Sequence, residues 1–588
     1  MEFRHVASCF CAIEKESSRT EKTKLLAGLF ALSDVHSASI IAYLSLGDMY
    51  PAYAKKQFNI AEKLLVKAIA RLVDSPVATI QPQLDQLGDI GLVIEHVYQE
   101  SEQVQFLSVL DVYQELELLI GVSGSGAQEM REQQLVAFLQ KLSSVEAKYV
   151  VRIIVGVLRL GFSDMTMLDA LSWMAAGDKS MRQELEDAYN ICADIGKIAY
   201  TLKDGGIEAI RQMAITPGIP IRPAAAERLA DAKAIVDKLG FCLAQPKLDG
   251  FRVQVHLNKR NPLNPEIRFF SRNLQDMSAM FPDLVDEIMQ LDVVDCVLEG
   301  EAIAYSVETG AFLPFQETVK RKRKHDVAKT AEEFPLRLYL FDVLYLNGQS
   351  LLRLTHQERR ESLLGLVPTA RYQLIMPIEE YSIATAQELE HLFLTTITSG
   401  LEGLVIKRPD AQYQPGKRNF NWIKLKRQET GSLDDTLDCV ILGYYFGQGK
   451  RAHFGIGALL VGVFNQDNNM FQTIAKIGTG LSDDEWKLLK KECDKRAVSD
   501  KPHEVECAKP LYPDVWTHPS LVCLVRADEI TRSPMHSAGV SESNLGYALR
   551  FPRMMGMRDD KDASSVTTLS EVVTLYTLQF SRVQPDIT

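Results

Sequence analysis

The stretch Lys247-Leu248-Asp249-Gly250-Phe251-Arg252 places a lysine, a tight Asp-Gly turn and an arginine within six residues. An apolar approach, residues 241–243, precedes it, and the alternating residues 251–257 predict a strand after it. Lysine is a usable nucleophile only after its ammonium group has lost a proton, and an enzyme that forms a covalent lysyl-nucleotide needs a lysine held in such a setting. The stretch therefore predicts a reaction and identifies its nucleophile, Lys247.

Length and composition are typical of a multi-domain globular protein. The chain has 588 residues, of which 46% are hydrophobic and 24% charged, and this length predicts about three domains. No run is long and apolar enough to span a membrane. Residues 1–14 lack the basic, apolar and small-residue regions of a secretory signal, so we expect an intracellular protein of the cytoplasm and nucleoid.

The cysteines and the net charge indicate which kinds of site and partner the protein can have. The nine cysteines are scattered without a CxxC pair, which predicts reduced thiols and opposes a structural zinc site. The net charge of -12 argues mildly against nucleic-acid binding, but the DNA backbone responds to local basic patches rather than to total charge. The run Lys320-Arg321-Lys322-Arg323-Lys324-His325 is such a patch. It fits a nuclear-import signal, a solvated loop or a phosphate contact.

The pattern of apolar residues changes twice along the chain and predicts three domains. Residues 1–215 are mostly helical, and three prolines within residues 217–223 exclude a helix interior and indicate a boundary. Over residues 216–428 short strands alternate with helices, which predicts an α/β domain. Over residues 429–588 strands separated by glycine-rich turns predict a small β-barrel; the clearest are residues 440–445, 457–464, 472–478 and 522–530.

Strand alternation places charged side chains on shared faces in two segments. Lys424 and Lys426 face one side of a predicted strand and could clamp successive phosphates, with a solvated surface strand as the alternative. Glu299 and Glu301 likewise share a face and could bind ribose hydroxyls or a metal, with an exposed strand edge as the alternative. Each segment is therefore weak evidence when it is taken alone.

Two further residues have both a functional and a purely structural interpretation. Glu402 begins an otherwise buried-looking strand, and a carboxylate there suits a hard cation such as Mg²⁺, although a simple strand-end charge explains it too. Phe341 is by default a core aromatic residue, and stacking on a base is the second possibility.

Taken in order, these segments resemble the ATP-dependent DNA ligase family, in particular its archaeal-type and replicative three-domain members. The segments that carry the resemblance span nearly the whole chain: residues 247–252, Ser271-Arg272-Asn273, Glu301, Phe341-Asp342, Glu402-Gly403-Leu404-Val405, Lys424-Leu425-Lys426, residues 525–534, Arg550-Phe551-Pro552-Arg553 and Arg558-Asp559-Asp560-Lys561. The helical region resembles the family's DNA-binding domain at Arg152 and Arg159-Leu160-Gly161. The resemblance implies an all-α DNA-binding domain, an α/β nucleotidyltransferase domain and an oligonucleotide-binding (OB) β-barrel.

The resemblance also implies a mechanism. Lys247 would attack the α-phosphate of ATP, AMP would pass to the 5′-phosphate of a DNA nick, and the 3′-hydroxyl would then displace AMP. ATP and Mg²⁺, with Mn²⁺ as an alternative, would be the cofactors of a monomer that acts on nicked duplex DNA. The implied nucleotide-binding residues are Gln245, Arg252, Arg272, Glu301, Phe341, Arg418, Lys424, Lys426, Arg558 and Lys561; the implied metal ligands are Glu301 and Glu402; the implied DNA contacts are Arg272, Lys320, Arg321 and Arg323.

Two departures from the family pattern affect these expectations. Gln245 stands where many relatives carry Glu, so an uncharged amide oxygen would accept from the adenine amino group, and the choice among ATP, ADP, NAD and GTP stays open. Ala224-Ala225 stands where relatives have larger apolar residues, which predicts looser packing there.

Competing functions remain on the sequence alone. An RNA ligase or a capping-type guanylyltransferase shares the lysyl-nucleotide chemistry, and a nick-binding protein without catalysis is the non-enzyme alternative. An NAD-dependent ligase is disfavoured, since neither its extra cofactor segment nor its cysteine zinc site is visible. Residues 103–107 are weakly similar to sliding-clamp peptides of ligases, but a helix or connector is the preferred interpretation. The sequence does not separate replication from repair.

Overall fold

A computed structural model of the chain describes residues 1–581 apart from 101–102, 230, 309, 314–316, 319, 323–326, 369–370, 400, 427–435, 448–450, 452–453 and 542–543. The chain forms two compact units, residues 1–68 with 99–427 and residues 69–98 with 428–588. None of the helices in these described ranges is long and apolar enough to cross a membrane.

The N-terminal region is helical, and local capping residues define where its helices begin and end. In Ser144–Val155 the side chain of Ser143 and that of Glu146 form a reciprocal capping box, and Gly156 ends the helix in a left-handed conformation. The helices are Phe3–Lys15, Arg19–Leu32, Val35–Leu44, Glu62–Leu72, Val77–Leu87, Ile90–Val97, Val109–Gly121, Ala127–Leu139, Ser144–Val155, Asp164–Ala176, Arg182–Ile191 and Ile195–Arg211.

A buried ion cluster joins the first helix of this region to Ser144–Val155. Glu14 accepts hydrogen bonds from Arg152 and Tyr149, each at 2.9 Å, and lies 2.9 Å from the ammonium of Lys148. Arg152, a residue that carries the resemblance to a DNA-binding domain, is buried and therefore packs inside the helical region.

Two sheets form the middle region. Its strands are β1 (Ala225–Arg228), β2 (Cys242–Lys247), β3 (Phe251–Asn258), β4 (Glu266–Ser271), β5 (Asp295–Ala304), β6 (Leu336–Leu346), β7 (Gln349–Ser350), β8 (Ile375–Pro377), β9 (Tyr381–Ile383), β10 (Gly403–Lys407) and β11 (Arg418–Lys426). One sheet has the order β1-β11-β10-β2-β9 and the other β4-β3-β5-β6-β7, with β8 paired to β6. The helices of this region are Ala232–Leu239, Pro282–Met289, Val327–Glu333, His356–Leu366 and Ala386–Thr398.

The chain passes from one sheet to the other between β2 and β3. This crossing is the Leu248-Asp249-Gly250 turn, so the residues on either side of it reach both sheets. Gly250 packs so closely against β5 that an added Cβ would lie 2.4 Å from the carbonyl oxygen of Ala302. A side chain there would push the turn away from β5, which is why the turn needs glycine.

The C-terminal region is rich in strands. They are β12 (Leu437–Tyr445), β13 (Ala458–Asn465), β14 (Met470–Ile477), β15 (Ala497–Val498), β16 (Val505–Glu506), β17 (Val515–Thr517), β18 (Val522–Arg526), β19 (Glu529–Ser533), β20 (Gly546–Arg550) and β21 (Arg553–Met557), accompanied by helices Asp483–Asp494 and Leu569–Ser581. Eight of them form one sheet around a buried core, and β19 pairs with β20. Within the described residues this sheet curves as a half-barrel, and no ladder closes it.

The structure corrects one predicted strand. Residues 522–530 are not continuous, because the chain leaves β18 after Arg526 and begins β19 at Glu529 in a different sheet. A run of β-favouring residues does not by itself show where a strand changes sheets.

Candidate active site

A pocket of about 470 Å³ lies between the two sheets of the middle region, where β2 ends and the chain crosses to β3. Its walls bring together nine residues that the sequence predicts for catalysis or nucleotide binding: Gln245, Lys247, Arg252, Arg272, Glu301, Phe341, Arg418, Lys424 and Lys426. They come from β2, β3, β5, β6 and β11 and from the turn after β4. The pocket is therefore assembled from distant parts of the sequence.

Lys247 is partly buried at the end of β2. Its ammonium contacts one oxygen of Glu402, and the ammonium of Lys426 contacts the other, so a single carboxylate joins two lysines. Burial lowers the pKa of Lys247, helped by the charge of Arg272 and opposed by Glu301 and Asp249. Burial and Arg272 thus act toward the neutral, nucleophilic amine, whereas the contact with the Glu402 carboxylate favours the ammonium.

Glu301 lies beside this lysine and near the turn. The backbone N–H of Gly250 donates to Glu301 Oε1 at 3.2 Å, and Glu301 is the cross-strand neighbour of Arg252. Burial raises the pKa of Glu301 to about 7, although the charges of Lys247 and Arg252 act in the other direction. The pocket thus contains a carboxyl group that changes its charge near neutral pH.

Cations dominate the opposite wall. Ile423 and Leu425 are buried whereas Lys424 and Lys426 point into the pocket, so the two lysines share one face of β11. Burial lowers the pKa of Lys424, and the neighbouring charges of Arg418 and Arg272 lower it further. Like charges gathered in this way create a positive field that favours an anionic ligand.

Arg252 is held by a buried acid that sequence analysis did not separate from its neighbour. Its Nη2 donates to Glu299 at 2.9 and 3.1 Å, and its Nη1 donates to the Ala224 carbonyl at 2.8 Å. Tyr413 also donates to Glu299, at 2.8 Å. The Nε of Arg252 is buried without a hydrogen-bond partner in the described part of the chain.

The short side chain at Ala224 does not leave its backbone loosely held. Besides its carbonyl contact with Arg252, its N–H donates to the Tyr413 hydroxyl at 2.9 Å. Ala225 lines the pocket beside it. These contacts hold the segment through main-chain atoms rather than through a large apolar side chain.

An aromatic corner with a buried lysine lies deeper in the pocket. The rings of Phe341 and Trp422 meet edge-on with centroids 6.0 Å apart, and the ammonium of Lys407 lies 4.4 Å from the Trp422 centroid. Lys407 donates to the Phe341 carbonyl at 3.1 Å, and burial lowers its pKa to about 8. No sequence-based prediction assigned Lys407 to the pocket. A lysine inside an apolar strand is the signal that could have identified it, since buried lysines need partners.

Three family models match successive parts of the chain. The model described as DNA ligase N terminus matches residues 2–172, ATP dependent DNA ligase domain matches residues 223–426, and ATP dependent DNA ligase C terminal region matches residues 452–561. A probable DNA ligase of Dictyoglomus turgidum is 42% identical over 579 residues, which cover 98% of this chain and 97% of that protein. The chain belongs to the ATP-dependent DNA ligase family.

Other comparisons agree with this assignment. The DNA ligase of Sulfolobus acidocaldarius is 34% identical over 606 residues, which cover 100% of both proteins. A solved structure described as Pmar-Lig_PreS3 shares the fold with a TM-score of 0.54 at 18% identity, over 94% of this ligase and 99% of that chain. The family and the enzyme class predicted from the ordered motifs are confirmed, as is the order of a helical region, a nucleotidyltransferase domain and a strand-rich region.

The predicted DNA contacts of the basic run differ in their surroundings. Lys320 is half-exposed and pairs with Glu317 at 2.6 Å. Arg321 is only 2% exposed, and its guanidinium donates to Asp283 at 2.6 Å and to the carbonyl of Met280. The structure contradicts a phosphate contact through Arg321, because its donors are used inside the fold. Arg323 lies outside the described residues.

The two predicted residues of the C-terminal motif share an acidic partner within their own unit. Arg558 Nη1 donates to Asp438 Oδ1 at 3.0 Å, and Lys561 donates to Asp438 Oδ2 at 2.6 Å. Arg558 also forms two hydrogen bonds with Asp560, at 2.8 and 2.7 Å. Both cations are thus neutralised by aspartates.

Proposed function

We propose that this ligase seals nicks with a 3′-hydroxyl and a 5′-phosphate in duplex DNA through a lysyl-AMP and a DNA-adenylate. The observation that carries the proposal is the partly buried Lys247, whose pKa is lowered, in a pocket lined by Arg272, Lys424 and Lys426. A neutral amine beside several cations is suited to attack a phosphate whose negative charge those cations neutralise.

In the first step the lone pair of the Lys247 amine forms a bond to the α-phosphorus of ATP. The bond from that phosphorus to the bridging oxygen breaks, and pyrophosphate leaves with the electron pair. Lys424 and Lys426 balance the charge on the α-phosphate, because phosphoryl-type transfer depends on positioning and charge neutralisation more than on covalent help. Arg558 and Lys561 are proposed to orient the pyrophosphate.

The remaining pocket residues are proposed to hold the nucleoside. Phe341 stacks on the base, and Gln245 accepts from the adenine amino group. Arg252 and Glu301, which both line the pocket, bind the ribose hydroxyls. In the later steps Arg272 contacts the 5′-phosphate of the nick.

The carboxylates beside Lys247 have the chemistry that a magnesium ion needs. No group of three or more His, Cys, Asp or Glu side chains able to hold a metal occurs in the described ranges. Glu301 and Glu402 both flank Lys247, and Mg²⁺ commonly uses one or two carboxylates together with substrate phosphates and water. We assign these two acids to Mg²⁺, or Mn²⁺, which would supply charge neutralisation at the phosphates.

The domain assignment completes the proposal. Residues 1–215 are proposed to form the DNA-binding domain, 216–428 the adenylation domain and 429–588 an OB-type barrel, in a monomer that acts on nicked DNA. Lys320 is the DNA contact retained from the basic run. Because the proposed substrate is DNA, we propose an intracellular enzyme of the cytoplasm and nucleoid. A sliding-clamp contact through residues 103–107 stays a sequence-based prediction.

The test follows a radioactive label through the steps. With ATP labelled at the α-phosphate, we expect label on the protein, its transfer to nicked DNA and a sealed product, with all three lost in Lys247→Ala. Lys233→Ala, an exposed lysine paired with Asp237, is the matched control and should retain them. Sealing of nicked RNA alone, or labelling by GTP alone, would favour an RNA ligase or a guanylyltransferase instead.

A further inference from the structure

Gln245 and Glu380 form a buried contact at the back of the nucleotide pocket. Gln245 is 2% exposed on β2, and its Nε2 donates to Glu380 Oε2 at 2.6 Å. An ionised carboxylate can only accept hydrogen bonds, whereas an amide has a donor end and an acceptor end of nearly equal size. The contact therefore determines which end of the Gln245 amide faces Glu380.

Several groups hold Glu380 in place as an anion. His356 Nε2 lies 2.8 Å from the same Oε2, and Arg360 Nε lies 3.8 Å from Oε1. Burial raises the pKa of Glu380, but the His356 contact and the charges of Lys407 and Arg360 outweigh it and hold this pKa below its ordinary value. Glu380 is therefore ionised at neutral pH and unable to donate.

The geometry leaves the amide oxygen of Gln245 for the pocket. The NH₂ group is bound to Glu380, and Oε1 has no hydrogen-bond donor among the residues that the structure describes. Adenine presents an amino donor at position 6, whereas guanine and hypoxanthine present a carbonyl acceptor there. An oxygen in this place attracts the first base and repels the other two.

We propose that Glu380 is a positioning residue that prevents the Gln245 amide from turning over and thereby selects adenine at the 6-position. This inference rests on the proposed function, since it requires the base to bind beside Gln245. A glutamate at position 245 would need no such partner, because both of its carboxylate oxygens are acceptors. The Gln245 amide does need one, and Glu380 fixes its orientation.

The test compares ATP with inosine triphosphate, which lacks a 2-amino group and differs from ATP at the 6-position. In Glu380→Gln the new amide can donate as well as accept, so the Gln245 amide is free to turn over. We expect the ratio of kcat/KM for enzyme adenylation, ATP over inosine triphosphate, to fall about tenfold or more, mainly through KM. An unchanged ratio would overturn the proposal, even if both rates fell together.

A double variant and a neighbouring control sharpen this result. Gln245→Glu combined with Glu380→Gln places the carboxylate on the pocket side and the amide behind it, and should restore the ratio. If Glu380→Gln alone folds poorly, the double variant serves as the test. A ratio of kcat/KM, ATP over inosine triphosphate, below that of the unmodified enzyme would then overturn the proposal. Glu379→Gln, whose exposed carboxylate accepts from the Tyr381 hydroxyl, should leave the ratio unchanged.

The outcome separates this inference from the proposed function. Absence of adenylation of the unmodified enzyme by ATP would contradict the ligase mechanism itself. Normal adenylation with equal use of ATP and inosine triphosphate would contradict only the role of Glu380.

Discussion

At the scale of single residues, burial of Lys247 sets the pH range of the first step. Only the neutral amine reacts, so the rate constant of enzyme adenylation should rise about tenfold per pH unit and then level off. Because the pKa of Lys247 is lowered, the half-maximal rate should lie below ~10.4, the value for an unburied lysine. Quench-flow with labelled ATP measures this profile.

A charge variant checks the cause of that shift. Arg272 lowers the pKa of Lys247, so Arg272→Ala should move the half-maximal rate to higher pH. Arg268→Ala, on the same hairpin and paired with Glu266 at 3.9 Å, should leave it in place. A half-maximal rate of the unmodified enzyme at or above that of free lysine would contradict the role of burial.

Glu301 should produce a second titration in the same pocket. Its pKa is raised to about 7, so the charged form is present above that pH and is lost as the pH falls through it. We expect KM for ATP to fall as the pH rises through this range, and Glu301→Gln to remove the step and raise KM about tenfold at high pH. Steady-state adenylation assays measure KM; the exposed Glu266→Gln is the control. A pH-dependent step that persists in Glu301→Gln would assign it to another group.

At the scale of elements, the sequence pattern predicts strands and their faces better than it predicts partners. Alternation correctly placed Lys424 and Lys426 on one face of β11. It also treated Glu299 and Glu301 alike, yet Glu299 is bound to Arg252 and Tyr413 while Glu301 faces the pocket. The partners of Glu299 come from distant segments, β3 and the residues before β11, and a local pattern does not contain them.

The basic run shows the same limit and leads to a stability prediction. Arg321 is buried against Asp283, so Arg321→Ala should leave a poorly solvated carboxylate unpaired and lower the free energy of unfolding by about 3 kcal/mol. Lys320→Ala, which removes a half-exposed pair, should cost about 1 kcal/mol or less. Urea unfolding measures both. Equal losses of stability would contradict the structural role of Arg321, and a loss of DNA affinity in Arg321→Ala without a loss of stability would restore the phosphate-contact interpretation.

At the scale of the whole molecule, the order of motifs along the chain was enough to predict the family. Each motif alone is short, but their order along the chain is specific. The closed barrel and the domain boundaries stay predictions, since they depend on strand pairing and on contacts between distant segments. The strands of the C-terminal region illustrate this, as β12 pairs with β13, β17 and β18 along its length.

The C-terminal motif should matter for one step more than for the others. Lys561 is proposed to orient pyrophosphate, which is present only in the first step, so Lys561→Ala should slow enzyme adenylation at least about tenfold. Sealing of a nick that already carries AMP should change less than about twofold, because that step releases no pyrophosphate. Rapid-quench assays of the two reactions supply the comparison, with Lys495→Ala, an exposed lysine paired with Glu492, as control. A similar loss in both reactions would point to a role in DNA binding or folding.

The carboxylate of Glu402 has a consequence for which anions can enter the site. Its two oxygens contact the ammonium groups of Lys247 and Lys426, so a phosphate group that binds these lysines has to compete with it. Inorganic phosphate or a single backbone phosphodiester brings little charge to this competition, whereas a triphosphate brings several charges that neighbouring cations can share. We therefore expect this site to select among anions by their valence and to favour a triphosphate.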